Sequence, residues 1–253
     1  MGIRQELRLR DAFVRIGASV ALIVGYLLIG VFVSQALYMF GIRDSVVGAC
    51  VMDALVAGVL LFALRGAEAS RRPVDARDVA LMACGVFVVW LVGIMSSTSL
   101  FCALKDAAWV DYTSSFDDAG LGATAALSLL FAPVAEELMM RRVLYSYLRQ
   151  IGIVFAMLVT SLLFAGMHGT LVHLPFTFLL GLFLCAVFEF SGSVWACVAC
   201  HCAANAMSLF VAPYVSIPEP LLHPAVCAIL FAAAVAAIFV CAHLVYRMEV
   251  EHV

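Results

Sequence analysis

The sequence predicts an all-α, polytopic membrane protein of about eight transmembrane helices with both termini in the cytoplasm. Three observations carry that expectation: 66% of the residues are hydrophobic and only 12% charged, apolar runs recur at close to the ~20 residues that cross a bilayer as a helix, and the basic residues are distributed unevenly between the connectors. A chain so poor in charge has almost no room for a water-soluble domain, and nucleic acid is not an expected partner.

The first run, 14–40, follows a basic stretch. It is too long for the apolar region of a secretory signal and reads as an anchor. Met1-Gly2 lacks the Ser or Thr that a myristoylation motif needs at position 6, where Glu6 stands. Runs at 46–64 and 79–96 are separated by a charged connector from Arg65 to Asp78. The run at 121–140 follows an acidic connector holding Asp106, Asp111, Asp117 and Asp118, and four more close the chain at 153–167, 171–190, 193–212 and 224–246. Neither longer connector can hold a second domain.

Cytoplasmic loops collect Lys and Arg. With the N-terminus inside, Arg4, Arg8, Arg10, Arg15, Arg65, Arg71, Arg72, Arg77, Arg141, Arg142, Arg149 and Arg247 fall on the cytoplasmic side, leaving Arg43 and Lys105 outside. The asymmetry also supports an even number of spans with both termini inside. The nine cysteines are mostly within apolar runs and read as small hydrophobes. Cys197 and Cys200 have the spacing of a redox or zinc pair, but no second pair accompanies them.

Charge inside a span costs roughly 2.5–3.5 kcal/mol per residue on insertion scales, so polar residues there mark function. Three segments supply them. In Phe131-Ala-Pro-Val-Ala-Glu136-Glu137-Leu-Met-Met-Arg141, Glu137 and Arg141 sit four apart on one helical face with the acid on the N-terminal side. Glu136 is turned about 100° away and is free to face something else. Phe164-Ala-Gly-Met-His168 ends an apolar run on a lone His, with His173 expected at the interface. His201-Cys-Ala-Ala-Asn205 places two polar side chains on one face of an apolar helix. Singly, a His or Asn in a span is more often a packing residue that bridges helices. Together, a carboxylate, two imidazoles and an amide are the parts of a hydrolytic site, with Glu136 as base and donors for an oxyanion.

In this order, Glu-Glu-x-x-x-Arg, Phe-x-x-x-His and His-x-x-x-Asn resemble the CAAX-processing and bacteriocin-processing intramembrane proteases, the CPBP or Abi family, over roughly residues 121–212. The resemblance implies an intramembrane glutamic endopeptidase similar to CAAX prenyl endopeptidases. Glu136 would activate water with help from His168, His201 and Asn205 would stabilise the oxyanion, and Glu137 and Arg141 would support the site. It divides the chain into N-terminal helices and loops at 1–120, a catalytic core at 121–212, and a last helix and tail at 213–253. The family often has Arg-Gly where this chain has Arg141-Arg142.

No cofactor is expected. Glu136, His168 and His201 make a conceivable two-His, one-carboxylate zinc set, but His-Glu-x-x-His is absent, and the family favours a metal-free reaction. The expected partners are membrane lipids and a peptide or protein substrate, lipidated or a leader or bacteriocin peptide. The expected location is a bacterial cytoplasmic membrane.

Counting 1.5 Å per residue places Glu136 and His201 in the cytoplasmic half of the bilayer, with the cavity open to the cytoplasm. The same count puts His168 towards the opposite face, unless helix five starts deeper or Pro133 tilts helix four. Asp53, Glu189 and His243 receive no role. Two other readings stay open: a non-catalytic scaffold or bacteriocin-immunity protein that retains the site, and a proton-coupled transporter, against which no repeat of interrupted helices is visible.

Overall fold

In the computed structural model the described residues are 2–65, 74–105 and 107–251, with the side chains of 2–9, 107–109, 111, 112, 115 and 246–251 excepted. Arg71, Arg72 and Asp106 therefore lie outside the described residues, as do the side chains of Arg4, Arg8, Asp111 and Arg247.

The chain is helical throughout its described secondary structure. It runs α1 (Gly2–Met39), α2 (Ser45–Ala63), α3 (Ala76–Leu104), α4 (Ala107–Ala126), α5 (Ala132–Glu137), α6 (Ser146–Leu148), α7 (Ile153–Gly166), α8 (Leu174–Ser191), α9 (Val194–Phe210) and α10 (Pro224–Glu251). Among the described residues, seven stretches are long and apolar enough to cross a membrane, one of them the continuous Phe116–Leu148 that joins α4, α5 and α6. This is a multi-pass membrane protein.

The eighth expected span, α7, has 14 residues, about 21 Å against a hydrocarbon core of about 30 Å. It is followed by the turns at 167–173. Arg15 of α1 and Arg149 after α6 meet Tyr147 and Glu189 at one end of the bundle, its arginine-rich end.

Local chemistry explains where helices start. Asp44 accepts from Val46 N and Val47 N at the head of α2. Asp75 and Asp78 form a reciprocal capping box on α3, and Ser193 caps α9 through Ala196 N. The acidic connector, expected as a loop, is helical: it forms the first part of α4. The helix changes direction at Gly120, where φ is +77°, a conformation that favours glycine. Thr124 Oγ1 donates to Phe116 O across that bend at 2.9 Å.

Helix α8 is the centre of the bundle, packed by α3, α7, α9 and α10. Small residues permit the approach. A Cβ on Gly181 would lie 3.0 Å from Ser161 Cβ and 3.1 Å from its Cα, and one on Gly93 would lie 3.1 Å from Phe176 Cα. The cysteines Cys185, Cys197, Cys200 and Cys227 are buried in this packing, Cys197 donating to Leu184 O at 3.4 Å.

Candidate functional site

The glutamate pair stands on α5 between two π-helical stretches, Leu127–Phe131 and Leu138–Tyr145. Such widened turns are rare and recur at functional sites. Pro133, near the start of α5, has no N–H to give the carbonyls one turn earlier. Side chains from α9 supply donors there: Asn205 Nδ2 donates to Ser128 O at 2.8 Å, and Cys202 Sγ donates to Leu129 O at 3.1 Å. The break in the helix and the two α9 residues therefore form one unit, which docks the His-x-x-x-Asn face against the segment bearing the glutamates.

Glu137 and Arg141 are both 0% exposed, with Arg141 Nε 2.8 Å from Glu137 Oε2, an ion pair rather than an aligned hydrogen bond. The same guanidinium reaches Cys185 Sγ at 3.7 Å and lies 5.5 Å from the Phe164 ring centroid. The other oxygen of Glu137 accepts from His201 Nδ1 at 3.0 Å. That bond fixes the imidazole and leaves its Nε2 edge towards Glu136, whose Oε2 is 3.8 Å away. Glu137 is thus held between Arg141 and His201, while Glu136 lines the cavity.

His168 follows the end of α7. Its Nδ1 is 2.8 Å from Phe164 O, and a carbonyl only accepts, so Nδ1 carries the proton and the neutral ring keeps a lone pair on Nε2. Phe164 packs edge-on against both histidines, with ring centroids 4.9 Å from His168 and 5.7 Å from His201. His168 lines the same cavity as Glu136 although α7 starts at Ile153, where the sequence placed it.

A cavity of about 860 Å³ receives these groups. Glu136, His168, His201 and Asn205 line it together, along with Phe164, Tyr26, Asp53 and His173. Its size falls within the usual range of ligand sites. Further lining comes from the N-terminal halves of α2 and α8, the C-terminal halves of α3 and α9, and α4. The cavity therefore extends away from the arginine-rich end.

Three contributions escaped the sequence. His173 belongs to the cavity wall, edge-on to His168 at 5.0 Å and stacked on Phe176 at 5.8 Å. Tyr26 donates to Asp53 Oδ1 at 2.6 Å, both buried; a mid-span Asp was a signal, its Tyr partner one helix earlier was not. Glu189 is 1% exposed and anchors the opposite end, paired with Arg149 and accepting from Tyr145 Oη at 2.6 Å. Among the described residues, no three His, Cys, Asp or Glu side chains converge as a metal-binding group.

Residues 119–207 match the family model described as type II CAAX prenyl endopeptidase Rce1-like. The chain carries an Rce1-like domain. The matched segment contains all six residues named from the motifs, Glu136, Glu137, Arg141, His168, His201 and Asn205, whereas Tyr26 and Asp53 reach the cavity from outside it. No curated protein and no solved structure gives a significant match to the chain. The Rce1-like domain supports a CAAX-protease-like function in a multi-pass membrane protein.

Proposed function

We propose that the Rce1-like domain is an intramembrane endopeptidase that hydrolyses a peptide bond by glutamate-activated water, without a metal. The observation that carries this reading is the convergence of a free-edged carboxylate, two oriented imidazoles and an amide on one cavity near the middle of the helices.

In the reaction, Glu136 takes a proton from water as the water oxygen bonds to the scissile carbonyl carbon. His168, with its Nε2 lone pair, orients that water. Charge gathers on the carbonyl oxygen, where the second N–H of Asn205, the one not given to Ser128 O, donates to it. A proton on His201 Nε2, opposite the Nδ1–H held by Glu137, makes a second donor. Donors placed where charge develops are worth about 10²–10³ in rate each. The proton held by Glu136 then passes to the amide nitrogen as the C–N bond breaks, releasing an amine and a carboxylate. Glu137 and Arg141 act through His201 and are positioning residues.

The test is cleavage of quenched peptides, lipidated and unlipidated, by the detergent-purified protein, with Glu136→Gln alongside and a strong chelator in parallel. Cleavage that survives chelation and disappears in the mutant is the expected result. Loss with chelator would overturn the metal-free mechanism, and unchanged cleavage by Glu136→Gln would overturn the assignment of the base.

A further inference from the structure

Two buried polar side chains reach the cavity from outside the family-matched segment, and the reaction leaves both without a task. Tyr26 stands on α1 and Asp53 on α2; they are 7% and 2% exposed, and both line the cavity with Glu136. Helix α2 brings Ser45, Ala49, Met52 and Asp53 to the wall, the i, i+4, i+7, i+8 face of a helix. It packs against α5, which bears Glu136, and both Asp53 and Tyr26 lie within electrostatic reach of that glutamate. The pair is built in by close packing: at Gly30, one turn beyond Tyr26, a Cβ would lie 2.8 Å from Met52 Sδ of α2.

A polar side-chain bond is a common way to join two spans, but here a neutral amide would accept the same hydroxyl without the cost of an acid in the membrane. The tyrosine also uses only one of the two oxygens. Oδ1 accepts from Tyr26 Oη at 2.6 Å. Oδ2 accepts no hydrogen bond among the described residues, and unlike Ser97 Oγ in the same wall it is not sealed from the cavity space.

A carboxylate oxygen accepts and does not donate, so Oδ2 calls for a donor. Among the described lining residues there is no lysine or arginine to supply one. A peptide reaching Glu136 brings a donor with every non-proline residue, and each backbone N–H that leaves water needs an acceptor. Because Asp53 neighbours Glu136, the N–H that it meets lies near the bond under attack.

We propose that Asp53, oriented by Tyr26, is a substrate-binding residue whose Oδ2 accepts a hydrogen bond from a backbone N–H of the bound peptide near the scissile bond. The inference rests on the protease reading for what fills the cavity. It gives the N-terminal helices a part in holding the peptide, whereas the matched segment supplies the groups that react.

Binding is read with the inactive full chain, Glu136→Gln, in detergent, by fluorescence anisotropy of a labelled farnesylated peptide ending in a CAAX sequence. Analogues replace one amide at a time by an ester, which removes a single backbone N–H and keeps the shape of the chain. One ester is expected to weaken Kd by about tenfold, the scale of one hydrogen bond to a charged acceptor. Adding Asp53→Ala is expected to weaken the all-amide peptide by a similar factor and to abolish the sensitivity to that ester, so that the two losses do not add. Should that variant fail to fold, Asp53→Leu with Tyr26→Phe, which leaves no orphaned hydroxyl, takes its place.

Additive losses, the lack of any ester-sensitive position, or no binding of the peptide overturns the proposal. Cleavage of the all-amide peptide by the parent chain is scored separately. The expected Kd pattern without cleavage sinks the protease reading and leaves Asp53 as a peptide-binding residue; cleavage with additive losses does the reverse.

Discussion

Replacing Arg141 by methionine isolates what the buried ion pair does. The side chain is similar in length and apolar, so the loss is of charge more than of volume. It leaves Glu137 at 0% exposure with the His201 Nδ1 contact at 3.0 Å as its remaining polar partner, and it removes the guanidinium from the face of Phe164. Breaking one side of a buried pair costs about 3–5 kcal/mol, whereas removing both partners is often close to neutral. Arg141→Met should therefore be strongly destabilising, and Arg141→Met with Glu137→Gln should recover most of the loss, because a glutamine oxygen still accepts from His201. The assay is thermal unfolding in detergent followed with a thiol-reactive fluorophore. The buried cysteines Cys185, Cys197 and Cys200 stay silent until the bundle opens. A single mutant as stable as the parent, or a double mutant no better than the single, would refute the argument that an uncompensated charge sets the cost.

Further outcomes follow from other contacts. Asn205→Ala removes the donor to Ser128 O; it should lower kcat by about 10²–10³ through the oxyanion and stability by about 1–3 kcal/mol through the orphaned carbonyl, measured by peptide cleavage and by the same unfolding assay. Gly181→Ala places a Cβ 3.1 Å from the Ser161 Cα, which no rotamer relieves, and should cost about 1–3 kcal/mol in that assay. Tyr26→Phe removes the partner of the buried Asp53 and should cost about 1–3 kcal/mol, while leaving the glutamate pair and its histidine in place, as a retained kcat would show.

The boundaries of most membrane-crossing helices were legible because apolar length is a local property. The run at 46–64 became Ser45–Ala63, and 193–212 became Val194–Phe210. The six motif residues were legible as chemistry, since Glu136, Glu137 and Arg141 are costly in an apolar run. Their arrangement was not. That Asn205 satisfies carbonyls freed by Pro133 depends on two helices separated by 77 positions, and nothing local encodes it. The acidic stretch looked like a loop because Asp117 and Asp118 are polar, yet its glycine at 120 lets a helix bend over the mouth. The closing of one end of the bundle was not legible, because it depends on Tyr145, Arg149 and Glu189 meeting across 40 or more residues.

The shortness of α7 has a consequence for the supply of the second reactant. At 14 residues, about 21 Å, α7 is shorter than a hydrocarbon core of about 30 Å, and it gives way to turns at 167–173, with Gly169 at φ +75°. Peptide groups outside a helix are tolerated there only when protein buries them or an aqueous space lines them. His168, Val172 and His173 border the cavity, so hydrating this turn and delivering water to Glu136 are the same act. A bundle that completed α7 to full span would have no need of solvent at this depth, and none to spend on hydrolysis.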